Sequence, residues 1–345
     1  MRLRFSRFST LTAFWIACLG AWAGIVYLQA QAPQPDGAGV EKGKLPVRWA
    51  TGGPRCMEQP EWQVHEYNED FYILRESGCV HYEKPFLYLI FGKDKVVLMD
   101  TGAGTTELAS TVDGIIAKWL KRKKRSSIQF MVMHSHGHRD HVARDSQFNN
   151  KSGVEFVPAE VSAVQKAFGI KNWPVDIGSL NLGDRVLDVI PIPGHHPVAV
   201  GLYDRRTAVL MTGDNVYPGR LYISDWSAFV ESTKRLADFT RSRLVSHVLG
   251  CHIEQTDTPF LEFPIGSIFQ PSEHVLELSR GDLLELHQVM QENKDVPKRI
   301  ALRSMTIYPT NDGVWQELRK VREETENRQR ETQFNQPLPS TLTPR

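Results

Sequence analysis

The sequence predicts a layered fold of mixed strands and helices, α/β or α+β, with its chemistry on loops at strand ends. Three observations predict it. Short apolar runs such as "PFLYLIFG", "KVVLMD" and "IQFMVM" alternate with stretches like "TTELASTVDGIIAKWLKR", whose apolar residues recur at helical spacing. Polar clusters follow directly after several apolar runs, where functional loops are expected. The densest is "HSHGHRDH", His134 to His141, which holds four of the 12 histidines in a chain of 345 residues. The rest of the composition fits a globular enzyme, with 41% hydrophobic and 23% charged residues. The formal net charge of +1 gives no global pull toward nucleic acid. No fixed-period repeat is visible.

The first 32 residues stand apart from the fold. Arg2, Arg4 and Arg7 precede an apolar run from Leu11 to Leu28, and no charged residue occurs between Arg7 and Asp36. This is the pattern of a signal peptide or a retained membrane anchor. The positive flank predicts export of the bulk of the chain, to the periplasm or outside the cell, with membrane association if the segment is kept. Ala21-Trp22-Ala23 and Ala30-Gln31-Ala32 have the small-x-small form of a cleavage site, though Pro33 disfavours the second. A Pro/Gly/polar linker follows over residues 33–45. The catalytic domain is expected over 46–300, and a charged helix and disordered tail over 301–345.

Within the catalytic domain, "WQVHEYN" and "FYILRES" flank the turn "EDF" as strands. "PFLYLIFG" and "KVVLMD" form a hairpin about Gly92-Lys93-Asp94. The helical stretch up to Leu120 ends in Lys121 to Arg125, a basic run suited to a solvated helix C-terminus. "IQFMVM" is a buried strand that runs into the histidine cluster, with a helix starting near His141. Further strands are expected at "VEFVPA", "RVLDVIPI", "VAVGLYD", "TAVLMTG" and "LVSHVLG". Helices are expected at "AEVSAVQKAFG", "SAFVESTKRLADFT" and "RGDLLELHQVMQEN".

The histidine cluster points to a metal. Imidazoles packed together in a core lack partners and repel once protonated, whereas a metal ion takes them neutral, with carboxylates beside them. His136 and His138 are two apart, so in an extended segment they point the same way and can share one ion. Asp140 and His141 follow where the chain turns and can aim at a second. Further candidates stand at strand ends or Gly turns: His195 in "PIPGHH", Asp214 in "VLMTGDN" and His252 in "HVLGCHIE".

With "VVLMDTG", "HGHRDH", "PGH", "TGD" and "GCH" in this order over roughly residues 60 to 255, the sequence resembles the metallo-β-lactamase superfamily of hydrolases. The resemblance implies an αββα sandwich, here with a C-terminal helical extension, and a dinuclear site in the cleft between its sheets. His136, His138 and His195 would hold the first ion; Asp140, His141 and His252 the second; Asp214 would bridge both. Asp100 would buttress the ligand loop rather than bind metal. His134 and His196 are surplus to this set and read as structural.

Two divalent ions would lower the pKa of bound water and provide a bridging hydroxide that attacks a small ester, lactone or thioester-like substrate. Zinc leads, and iron and manganese also suit His/Asp ligands. Asp140 would orient the nucleophile. A bridging aspartate at Asp214 is the pattern of lactonases, type II glyoxalases and phosphodiesterases rather than of β-lactamases proper. Tyr217, three residues beyond Asp214, matches a tyrosine of the acyl-homoserine lactonases and could donate to a developing oxyanion; Tyr222 is a weaker candidate. The alternatives are a mononuclear-iron persulfide dioxygenase, a phosphodiesterase, a β-lactam hydrolase, or a catalytically dead binding module. His138 argues against the flavodiiron members, which carry glutamate there. The partner is a small molecule; nuclease inserts and a basic surface are not evident.

Three features remain open. Glu254 to His274 has no regular period and reads as a pocket wall or lid, or else as a surface connection. Cys56 and Cys79 could pair in an oxidising compartment or stand free. Cys251 precedes His252, and neighbours leaving a strand point to opposite sides, so it is expected to face the packed layer behind the metals as a small hydrophobe.

Overall fold

The structure is a computed structural model that describes residues 39–51 and 59–334, with side chains as far as Gln329. The expected signal or anchor, Cys18, Cys56 and the tail from 335 lie outside the described residues. Among the described residues, no helix is long and apolar enough to cross a membrane.

The first sheet has β1 (Trp62–Asn68), β2 (Phe71–Glu76), β3 (Phe86–Phe91), β4 (Lys95–Met99), β5 (Gln129–Met133) and β6 (Val154–Phe156), in that order. β1 to β4 form an antiparallel meander, including the hairpin at Gly92 to Asp94. β4 to β6 run parallel. A parallel neighbour needs a crossover, and α1 (Ala109–Lys123) supplies it between β4 and β5. The basic run lies where expected: Lys121, Arg122 and Lys123 form the last turn of α1. Arg122 and Lys123 also reach back to Glu66 and Asp70.

After β5 the chain makes a one-turn helix, α2 (Arg139–Val142), and after β6 the helix α3 (Val161–Phe168). The second sheet follows, with β7 (Gly178–Asn181), β8 (Val186–Pro191), β9 (Val200–Asp204), β10 (Val209–Gly213), β12 (His247–Gly250) and β13 (Glu277–Leu278). Between β10 and β12 come β11 (Arg220–Ile223) and α4 (Trp226–Thr240). The chain ends through α5 (Arg280–Glu292), β14 (Ile300–Ala301), β15 (Thr306–Pro309) and α6 (Asp312–Phe334).

The two sheets pack face to face. Ile73, Tyr88, Val97 and Met131 of the first meet Val189, Leu202, Met211 and Leu249 of the second. The outer face of the first sheet is covered by Val112, Ile115 and Trp119 of α1. That of the second is covered by Phe229 and Leu236 of α4 and Leu283 and Leu286 of α5. This is the expected αββα sandwich. Burial on both faces explains why β3 and β4 read as unbroken apolar runs rather than alternating ones.

A small third sheet, in the order β11-β15-β14, was not expected. β11 pairs in parallel with β15, so Tyr222 sits opposite Tyr308. The expected domain boundary at residue 300 therefore falls inside this sheet, and the chain beyond it still builds the catalytic fold.

Candidate metal centre

All the expected ligands gather at one end of the sandwich. β5 delivers His136, His138, Asp140 and His141; the β8–β9 loop delivers His195; β10 delivers Asp214; β12 delivers His252. Two glycines make this convergence feasible. Gly213 has φ +53°, and a Cβ there would stand 2.9 Å from Ser135 Cβ. Gly194 has φ +139°, and a Cβ there would stand 2.5 Å from Phe229 Cα. Both positions need a backbone that side chains disfavour, and both need close approach.

Three imidazole nitrogens form the first set. His136 Nε2 lies 3.1 Å from His138 Nδ1, which lies 2.9 Å from His195 Nε2, and the triangle closes at 3.2 Å. The other ring nitrogens are committed: His195 Nδ1 donates to the Tyr222 carbonyl at 2.6 Å, and His136 Nδ1 to Ser135 Oγ at 3.0 Å. The inward nitrogens of His136 and His195 are then lone pairs facing each other, which is repulsive unless a cation sits among them. Tetrahedral ligation at about 2.0–2.1 Å sets two nitrogens about 3.3 Å apart, close to the observed triangle. Burial pushes His136 well below its ordinary pKa and His195 down to about 4, so both are neutral and ready to ligate.

The second set mixes carboxylates and imidazoles. Asp140 Oδ2 lies 3.0 Å from His141 Nε2 and 3.2 Å from His252 Nε2. Asp214 Oδ1 lies 3.3 Å from His252 Nε2, and Oδ2 lies 3.5 Å from His141 Nε2. Asp214 Oδ2 also lies 3.5 Å from His195 Nε2 in the first set, so one carboxylate touches both. Apart from the 3.3 Å approach of His252 Nε2, its Oδ1 is buried without a hydrogen-bond partner. Such an orphaned oxygen fits a cation. Burial opposes charge throughout. Even so, Asp140, Asp214 and Asp100 raise His141 well above its usual pKa, and His141 and His252 hold Asp140 well below the carboxylate range.

Asp100 stands behind this set. It is fully buried and has φ +73°, a strained backbone for a residue with a side chain. Its carboxylate accepts from Ser135 N at 2.6 Å, Ser135 Oγ at 2.7 Å and His141 Nδ1 at 2.9 Å. It touches no inward-facing nitrogen, which matches the buttressing role expected. His252 Nδ1 is fixed in the same way by the Glu83 carbonyl at 3.0 Å. His134 is structural: its ring bridges the Val157 carbonyl and Asp145. His196 packs its ring 4.8 Å from that of His138.

With these positions in place the family can be assigned. Residues 85–247 match the metallo-beta-lactamase superfamily. The chain carries a metallo-beta-lactamase superfamily domain. It is 25% identical over 234 residues to acyl-coenzyme A thioesterase MBLAC2 of Bos taurus, covering 57% of this chain and 83% of that protein. A hydroxyacylglutathione hydrolase of Erythrobacter litoralis is 27% identical over 147 residues, covering 41% of this chain and 56% of that one. Among solved structures, a metallo-beta-lactamase from Pontibacter korlensis covers 67% of this chain and 99% of its own, at 17% identity and a TM-score of 0.45.

A cavity of about 270 Å³ opens over the superfamily domain's ligand cluster. His138, Asp140, His195, Asp214 and His252 form its floor. Pro264, Ile265, Ser267 and Gln270 line it, so the irregular segment after His252 is a pocket wall. Trp315, Leu318, Arg319 and Arg322 of α6 line it too. The sequence reading missed these four residues, because a charged helix normally reads as a solvated one. It also missed Glu83 and Lys84, for which "YEKP" carries no signal.

Two expectations, those for Tyr217 and Cys251, meet unexpected geometry. Tyr217 is buried beside the centre, with its ring 5.5 Å from that of His252. Its hydroxyl donates to the Arg220 carbonyl and lies 3.1 Å from Glu254. Donation to a substrate oxyanion would first require that bond to break. Cys251 is a buried free thiol that does lie behind the ligands, but its Sγ approaches Asp100 Oδ2 at 3.5 Å rather than apolar groups alone. Burial, with Asp100 beside it, pushes the thiol pKa well up. Cys79 is disulfide-bonded, and Cys56 lies outside the described residues.

Proposed function

We propose that this chain is a dinuclear metallohydrolase that cleaves a small thioester, or a related ester or lactone. One observation carries the reading: two converging donor sets share Asp214, while the outward nitrogens of His136, His141, His195 and His252 are tied to fixed acceptors. In this reading His136, His138 and His195 hold one ion, and Asp140, His141 and His252 the other. Zinc is the proposed ion, because a His/Asp donor set with room for substrate suits it. The thioesterase and hydroxyacylglutathione hydrolase relatives support the thioester. When bound, the two cations supply Lewis acidity and lower the pKa of water.

The chain's own groups then divide the work. Asp140 lines the cavity and stays ionised at neutral pH. One oxygen is held between His141 and His252, which leaves the other to orient the attacking water and take its proton. Tyr217 is assigned to positioning: its ring packs on His252 and its hydroxyl stays with the Arg220 carbonyl. A panel of thioesters, lactones, β-lactams and phosphodiesters on metal-loaded protein tests the reading. Thioester turnover with about two ions per chain is expected. One redox-active iron with oxygen consumption would replace this reading with a dioxygenase.

We also propose that the domain works outside the cytoplasm. Support comes from the Arg-flanked apolar run at the N-terminus alone. Cell fractionation tests it, and full-mass protein in the soluble cytoplasm would refute it.

A further inference from the structure

The segment that carries Asp100 has no regular secondary structure, and an ion pair outside the ligand set holds it. Asp100 to Thr106 reads "DTGAGTT" and lies between β4 and α1. Asp100 and Gly102 both have positive φ, +73° and +79°, so backbone preference alone does not keep its shape. Glu76, the last residue of β2, and Arg144, just beyond α2, meet beside it. They are 0% and 1% exposed.

The pair is saturated, and what it does not spend on itself goes to this segment. Arg144 Nη2 donates to Glu76 Oε1 at 2.6 Å, and Nη1 to Oε2 at 3.3 Å. Gly104 N donates to the same Oε1 at 2.9 Å, and Ala103 N to the same Oε2 at 2.8 Å. Each carboxylate oxygen thus faces one guanidinium N–H and one backbone N–H. The other Arg144 donors reach the Thr101 carbonyl at 3.3 Å, the Thr106 carbonyl at 2.7 Å and Thr106 Oγ1 at 2.7 Å. All five N–H groups of the guanidinium are then committed. The Trp62 ring covers it at 4.8 Å.

Arg144 also belongs to the turn that bears Asp140 and His141. Thr101 N donates to the His141 carbonyl at 2.8 Å, and Ala143 N to the Gly102 carbonyl at 3.2 Å. Arg144 N donates to Thr101 Oγ1 at 3.3 Å. The pair therefore sits where the Asp100 segment is fastened to α2, and it bears on how Asp100 meets His141 Nδ1. A buried ion pair is weak evidence for stability, because an apolar pair of the same volume often serves as well. An apolar pair could not bond two backbone N–H groups and two carbonyls of one loop. The first ligand set is buttressed elsewhere: His195 leans on the Tyr222 carbonyl, and His136 reaches Asp100 only through Ser135 Oγ.

Resting on the dinuclear reading above, we propose that Glu76 and Arg144 are positioning residues for the second ligand set. They hold the Asp100 segment in register with α2. Asp100 then aims His141 Nε2, and the same turn aims Asp140, at the proposed second ion.

Glu76→Gln and Arg144→Lys test this on the full chain. Glutamine keeps the shape, but its NH2 must face a guanidinium N–H and a backbone N–H. Lysine keeps the charge but not the five-donor fork. In both variants, competition against a chelator should show second-ion affinity falling by about ten- to hundredfold, the usual effect of residues behind a metal-binding histidine, with the first ion within about threefold. A second readout needs no metal. The His141 Nδ1 proton held by Asp100 gives a downfield imidazole N–H signal by NMR of the metal-free protein, and in both variants it should shift and exchange faster with water. Wild-type protein that took up no second ion would refute the dinuclear reading, while this signal would still test the positioning. If neither variant folds, Thr106→Val removes one acceptor of Arg144 and should produce the same changes on a smaller scale. A folded Glu76→Gln protein with wild-type second-ion affinity and an unmoved His141 signal would overturn the proposal. So would equal weakening of both ions in step with a lower Tm, because the pair would then only stabilise the fold.

Discussion

Asp100→Asn isolates how the second ligand set is held. The carboxylate accepts from Ser135 N, Ser135 Oγ and His141 Nδ1, at 2.6, 2.7 and 2.9 Å. An asparagine fits the same space but can accept on one oxygen only. With its oxygen kept on Ser135 N, the amide NH2 faces Ser135 Oγ and His141 Nδ1. Two donors then meet at His141, and the imidazole escapes by moving its proton to Nε2. That removes the lone pair meant for the metal. Losing a hydrogen bond to a charged group costs about 1.5–3 kcal/mol. Outer partners of metal-binding histidines typically matter by about 10–100-fold, or about 1.4–2.8 kcal/mol. The two scales agree, so second-ion affinity should fall by that factor, with the first ion affected less. Competition against a chelator, followed by metal analysis of the folded variant, measures both. A folded variant that kept wild-type affinity for both ions would refute the tautomer argument.

The other predictions follow from the same geometry. Tyr217→Phe should cost about 1 kcal/mol of stability for one buried hydrogen bond and lower activity by less than about tenfold; a loss in kcat of about a hundredfold or more, by steady-state kinetics, would restore the oxyanion role. Cys251→Ser should keep both ions and most activity, because a hydroxyl can still donate to Asp100; loss of metal on elemental analysis would mean that the ligand set there is misassigned. Removing the ions with a chelator should lower Tm, by an amount equivalent to about 4 kcal/mol when free metal had stood at a thousand times its Kd. An unchanged melt would mean that the clustered histidines are satisfied without metal.

The proposed ligands were legible in the sequence because most of them are local to a strand end. His136 to His141 follow β5, Asp214 ends β10 and His252 follows β12. Hydrophobic runs found those strands, and their order placed the ligands. Less local features were hidden. β11 is four residues, "RLYI", and its only partner among the described residues is β15, more than eighty residues on. Nothing within either segment announces that pairing. Cys251 shows the limit of alternation: the side it faces was inferable, but not that Asp100 waits there. The helix α6 was expected, but its place in the cavity wall was hidden for another reason. Its charges give a solvated average, yet Leu318 is buried and Trp315 packs 5.1 Å from the Tyr222 ring.

The residues proposed to hold metal and those that wall the cavity come from different segments. The proposed metal ligands leave strands of both sheets and are gripped from behind by Asp100, Ser135 and the carbonyls of Glu83 and Tyr222. Most of them cannot shift without moving a strand or the β8–β9 loop. The cavity walls come from the loop around Lys84, the irregular segment at 264–270, and α6. These are tied to each other by side chains: Gln329 of α6 accepts from Ile268 N at 2.7 Å, and Arg322 lies over Tyr82. Changing a wall residue leaves the donor triangle and the Asp214 bridge in place. Selectivity can therefore change separately from the proposed metal centre, and a substitution such as Arg319→Gln should move KM before it moves metal content.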